Sequence, residues 1–155
     1  MKFKFMLLFV SVLVLGLLPA VGYGSDADKL VRTMADKGIQ PLTKLEIVTL
    51  LKDKTMEESL AKYHYMMYQA PDGTLKGKAW GDWGEELDTG IWYVTDEGLY
   101  CSEWSGMWAK NGKQCSALYP SKNGDGYVRV IVKGKRTKAH PSGVYRPQLV
   151  SGDQI

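Results

Sequence analysis

Two cysteines, two histidines and six prolines are all that 155 residues contain of those types. Cys101, Cys115, His64 and His140 do not form a zinc signature, and the low proline content, with 17 glycines, excludes a collagen-like or disordered chain. An excess of charge is also missing: 20 basic residues face 17 acidic ones, for a net charge of +3. A protein that binds nucleic acid by neutralising phosphates carries a larger or more concentrated excess, so no nucleic-acid partner is expected. No Ser-His-Asp ordering and no phosphate-binding loop is present. What remains, 45% hydrophobic and 24% charged, is the composition of one globular domain.

The one long apolar run starts at Phe5 and stops at Leu18, before Pro19. It falls short of the roughly 20 residues a membrane-spanning helix needs. Lys2 and Lys4 precede it, and Ala20, Gly22 and Gly24 follow as small residues that a signal peptidase accepts. Residues 1–24 therefore read as a secretory signal peptide, cut after Gly22 or Gly24. The mature chain is expected to be periplasmic or secreted, not membrane-spanning, and a monomer or weak oligomer. Losing Lys2 and Lys4 leaves 18 basic and 17 acidic residues, a net charge of +1. An oxidising destination makes a Cys101–Cys115 disulfide the default. Its 15-residue loop is worth about 3 kcal/mol on the chain-entropy model. No Cys-x-x-Cys pair points to redox catalysis.

The rest of the chain divides into a helix and linker at 25–40, a disulfide-bonded β-domain at 41–150 and a tail at 151–155. Asp26 or Asp28 is a candidate cap for a helix carrying Leu30, Val31 and Met34, ended by Gly38 and Pro41. Thr43 and Glu46 form a capping box ahead of Ile47, Leu50 and Leu51. The segment 55–69 is ambiguous: Thr55 and Glu58 repeat the capping-box pattern, whereas the tyrosines of 62–69 favour a strand, which is the reading we adopt. Runs near 74–80, 89–94, 98–104, 113–119 and 126–132 then alternate with turn chemistry at Pro71-Asp72-Gly73, Asp96-Glu97-Gly98, Asn111-Gly112 and Asn123-Gly124-Asp125-Gly126. In the last run Val128, Val130 and Val132 form a buried face, and Tyr127, Arg129 and Ile131 an amphipathic one. Beyond Gly134 an irregular or edge segment is expected.

Pairing Cys101 with Cys115 also pairs Leu99 with Ala117 and Glu103 with Lys113, apolar with apolar and acid with base. The fold class expected is mainly β, an antiparallel meander of about six to seven strands in a small barrel or curved sheet. One or two short N-terminal helices complete it.

Leu50-Leu51-Lys52-Asp53-Lys54-Thr55, Ala70-Pro71-Asp72-Gly73-Thr74, Gly90-Ile91-Trp92 and Gly98-Leu99-Tyr100-Cys101 follow one another, with the second cysteine at Cys115. This order resembles the small secreted bacterial proteins grouped as domain of unknown function nine hundred ninety-five, over roughly residues 43–132. The resemblance implies an exported, disulfide-bonded β-domain, and transfers no catalytic residue.

All five tryptophans lie between Trp80 and Trp108. Trp92 reads as core. Trp80 and Trp83 flank Gly81-Asp82 in a loop-like stretch, and Trp108 falls in the hairpin loop. With Asp82, Glu85 and Glu86 these three make a candidate ligand-binding face, since sugars need a flat apolar platform and acceptors for hydroxyls. The competing reading is that the tryptophans cover the open end of the sheet. Acids dominate 82–103, with seven and no base, while 107–146 holds nine bases and one acid. The two segments either neutralise each other or leave a basic tail (Lys133, Lys135, Arg136, Lys138, Arg146) for anionic envelope components. The 82–88 stretch lacks the alternating ligands of a calcium loop. His64 and Met66 share a strand face but are too few for copper, and His140 reads as a surface residue. No cofactor or metal is expected. The function expected is a non-catalytic binding or interaction module of the bacterial cell envelope, its partner an envelope glycan or another envelope protein. The alternative is a small hydrolase of envelope or extracellular polysaccharide, with Glu85 or Glu86 as acid–base.

Overall fold

The computed structural model describes residues 25–60, 62–121, 126–136 and 141–155. The expected signal peptide, the turn expected at Asn123-Gly124-Asp125, Lys138 and His140 lie outside the described residues. Helix α1 (Asp26–Asp36) is capped by Ser25, not by either aspartate proposed from the sequence. Asp28 is instead the third helical residue, and its carboxylate accepts from the Ser25 N–H and hydroxyl at 3.0 and 2.6 Å. Helix α2 (Lys44–Leu51) begins with the expected box, Thr43 donating its N–H and hydroxyl to Glu46, each at 2.7 Å.

Nine strands follow: β1 (Lys54–Ser59), β2 (Tyr63–Gln69), β3 (Thr74–Gly81), β4 (Gly84–Val94), β5 (Tyr100–Trp104), β6 (Gln114–Pro120), β7 (Tyr127–Lys133), β8 (Val144–Tyr145) and β9 (Gln148–Ser151). They form one antiparallel sheet in the order β8-β7-β6-β5-β4-β3-β2-β1-β9. The mainly-β curved sheet is as expected, but six to seven strands was too few. The second capping-box pattern hid β1, and β8 and β9 are short. In β1, Thr55 is paired on both sides, and its hydroxyl donates to the Gly152 carbonyl at 2.7 Å. Two ladders outweigh one local capping signal. The stretch read as loop-like around Trp80 is also strand: β3 and β4 pair down to Gly81 and Gly84, leaving only Asp82-Trp83 as the turn.

The sheet's outermost strands, β8 and β9, are separated in the chain by Arg146 and Pro147 alone. Three extended residue steps reach about 10 Å, so the ends of the sheet must approach each other. The sheet curls into an incompletely closed barrel, joined at that point by the Arg146 N–H donating to Glu58 of β1 at 3.0 Å. The ring of Tyr145 meets that of Tyr65 edge-on at 6.3 Å.

Strand alternation gives the barrel an inside and an outside. Leu75 and Ala79 of β3, Trp92 and Val94 of β4, and Leu118 of β6 share one core with Ile47 and Leu51 of α2. Helix α2 thus stops one end, held by the Leu42 N–H on the Leu118 carbonyl at 2.7 Å and by Lys44 on Asp96 at 2.7 Å. Helix α1 covers Ala117, Tyr119, Val128 and Val130 from outside. Strand β7 is consequently buried on both faces from Tyr127 to Ile131, not amphipathic on one. Its Tyr127 and Ile131 belong to the inner core. The Cys101–Cys115 disulfide joins β5 to β6 in the expected register, and Lys113 reaches Glu103 at 3.5 Å. Among the described residues no helix is long and apolar enough to cross a membrane.

Candidate functional site at the open end of the barrel

The end opposite α2 is open. Between β5 and β6 the chain forms a short 3-10 helix, Met107–Asn111, and this segment folds its tryptophan back over the barrel. The anchor is Asp88, whose inward carboxylate accepts three backbone N–H groups, from Gly106 and Trp108 at 2.8 and 2.7 Å and from Thr89 at 2.7 Å. Trp108 then donates its indole N–H to Glu86 at 3.0 Å and meets Trp104 edge-on, centroids 4.7 Å apart. Both rings fill the space a side chain at position 77 would need: a Cβ on Gly77 would stand 2.3 Å from Trp108 and 2.6 Å from Trp104. Glycine inside this strand admits two indoles.

The result is a cavity of about 310 Å³. Its walls are Tyr63, Tyr65, Met67 and Ala79 from β2 and β3, with Trp104 and Trp108 opposite. Trp83, 53% exposed, stands at the mouth with Lys110. Arg129 of β7, Gln114 and Tyr145 line it as well. Burial pushes the Tyr63 hydroxyl up to about 12 and the Tyr65 hydroxyl well above its usual value, so both are neutral donors at physiological pH.

Of the residues proposed from sequence, Trp83, Trp108 and Glu86 meet at this cavity, and Trp108 is half-buried instead of displayed on a loop. Trp80 does not join them. It points outward, stacked on the His64 ring at 5.3 Å, and His64 also bonds Ser59 at 2.7 Å. Asp82 sits in the exposed turn, and Glu85 points outward to Lys78 at 2.9 Å. Glu85 and Glu86, adjacent in sequence, face opposite sides of the sheet. No cluster of metal-binding side chains occurs among the described residues. Part of the basic tail is engaged locally, with Arg136 donating to Ser25 at 2.5 Å.

Sequence reasoning missed Arg129, Trp104, Tyr65 and Gly77. Alternation carried the signal for three of them: Trp104 shares a face with Tyr100, Arg129 with Tyr127 and Ile131, and Gly77 with Leu75 and Ala79. No protein family, no curated protein and no solved structure matches this chain.

Proposed function

We propose that this protein is an exported, non-catalytic binding module of the cell envelope, related to domain of unknown function nine hundred ninety-five, whose ligand occupies the open end of the barrel. The observation that carries this reading is the cavity itself: an aromatic-walled space at the small end of the usual ligand-pocket range, in a barrel stopped at its other end by α2. Trp83 at the mouth and Trp108 within support the aromatic part of the expected binding face, while Glu86 holds the Trp108 indole. The walls are mainly Tyr, Met and Trp, which favours a compact ligand with an apolar body over an extended polysaccharide. A polysaccharide hydrolase needs two carboxylates converging on one bond. Here Glu86 is inward, Glu85 is outward, and Asp88 is occupied by three N–H groups.

A neutral dye whose emission rises in apolar surroundings, N-phenyl-1-naphthylamine, tests the reading on the mature protein. One dye per chain is expected. Affinity should fall at least tenfold in Ala79→Trp, which fills the cavity, and in Trp108→Ala, and stay unchanged in Trp80→Ala. Absence of binding, or binding indifferent to Ala79→Trp, rejects the proposal.

A further inference from the structure

Arg129 is the only arginine or lysine among the described residues that is buried. It is 2% exposed, on the inner face of β7, and it reaches the cavity wall. Its Nε donates to Ser116 Oγ at 3.1 Å, and its guanidinium lies 5.2 and 4.7 Å from the ring centroids of Tyr100 and Tyr145. Among the described residues no carboxylate comes within 4.0 Å of it, and its two terminal nitrogens have no hydrogen-bond partner.

The surroundings do not supply the missing charge. Burial keeps the hydroxyls of Tyr65, Tyr100 and Tyr127 protonated far above neutral pH. Glu58 accepts from the Tyr65 hydroxyl and from the Arg146 N–H. Glu86 accepts from the Trp108 indole. Arginine keeps its proton in such a place, and a buried charge without a counter-ion is costly even where a hydroxyl and aromatic rings surround it. Its planar edge is built to take a carboxylate through two parallel hydrogen bonds.

We propose that the ligand of this cavity is a small monocarboxylate with an apolar body, its carboxylate on the terminal nitrogens of Arg129 and its body against Met67, Ala79, Trp104 and Trp108. This rests on the binding-module reading and names the ligand class. The cavity, about 310 Å³, stands at the small end of the range that ligand pockets span and is open at its mouth, which favours a small molecule. Octanoate represents this class. Its chain-matched alcohol and amine differ from it chiefly in the head group.

The test is displacement of N-phenyl-1-naphthylamine from the mature protein by octanoate, octan-1-ol and octylamine. Octanoate should displace it at least tenfold more effectively than the alcohol, and octylamine should be the weakest. In Arg129→Met the preference for octanoate over octanol, each measured against that variant's own affinity for the dye, should vanish. The same variant, free of ligand, should melt no lower than the parent, since it loses an uncompensated charge and keeps the volume. Arg129→Lys, which keeps the charge but loses the planar pair of donors, should retain only part of the preference and covers the case where Arg129→Met fails to fold. Octanol equal to octanoate in the parent protein, or a preference that survives Arg129→Met, overturns the carboxylate assignment and leaves the cavity as a binding site. Failure of the dye to bind overturns both.

Discussion

Gly77 shows how much of the site rests on one residue. Any side chain there collides with the rings of Trp104 and Trp108, and Trp108 is held in place by Glu86 and the Asp88 anchor. Gly77→Ala is therefore expected to destabilise the fold by about 1–3 kcal/mol, as overpacking does. It should also change the near-ultraviolet circular dichroism of the tryptophans and weaken dye binding, whereas an unperturbed spectrum and melting curve would contradict the packing described. At this scale the sequence was half readable. Trp83, Trp108 and Glu86 were marked by the aromatic cluster itself. Arg129 was read as part of an amphipathic face, although its same-face neighbours Tyr127 and Ile131 and the opposite-face valines Val128 and Val130 together describe a strand with no wet side. A charge in such a strand is a buried charge. Tyr145 left no trace, because a two-residue strand has no periodicity to read.

Among the elements, the β5–β6 hairpin carries the 3-10 helix and with it Trp108, so its rigidity sets the shape of the cavity. The disulfide between Cys101 and Cys115 ties the two strands below that loop. Replacing both cysteines by serine should cost about 3 kcal/mol on the chain-entropy model, which lowers the melting temperature by roughly 10 °C for a domain of this size. Thermal unfolding with and without reductant measures it, and a parent protein indifferent to reductant would remove the disulfide from the stability of the fold. The register of this hairpin was legible because three independent pairs agreed, and Thr43 with Glu46 marked the start of α2. The start of α1 was misplaced by one to three residues because Ser25 adjoins the expected leader. Strand β1 was obscured because its evidence is non-local: nothing near Thr55 announces β2 on one side and β9 on the other.

For the molecule as a whole, the interior is unusually rich in tyrosine, and that fixes its response to alkali. Burial raises the hydroxyls of Tyr63, to about 12, and of Tyr65, Tyr100 and Tyr127 above the ordinary value near 10. In the unfolded chain the same groups lose their protons at about pH 10. The native state thus holds more protons above that pH, so stability is complete below it and falls as the pH rises towards the folded values. A melting temperature level up to about pH 9 and declining beyond pH 10 is expected. Absorbance at 295 nm should show part of the eight tyrosines of residues 25–155 ionising only as the protein unfolds. All eight titrating near pH 10 with the fold intact would contradict the buried interior. The curved antiparallel sheet was legible at this scale from turn spacing, but the manner of its closure was not, since that depends on strands separated by about ninety residues, β1 with β9.

That closure also has a direction in time. The strands that finish the two sides of the sheet, β8 beyond β7 and β9 beyond β1, are synthesised after the strands they cover. Until residues 144–151 arrive, the strands already made present two bare edges, each able to recruit a strand from another chain. The short stretch around Arg146-Pro147 occupies both edges in one step, so a chain halted before Val144 is the sticky species and a chain carried past Ser151 is the safe one.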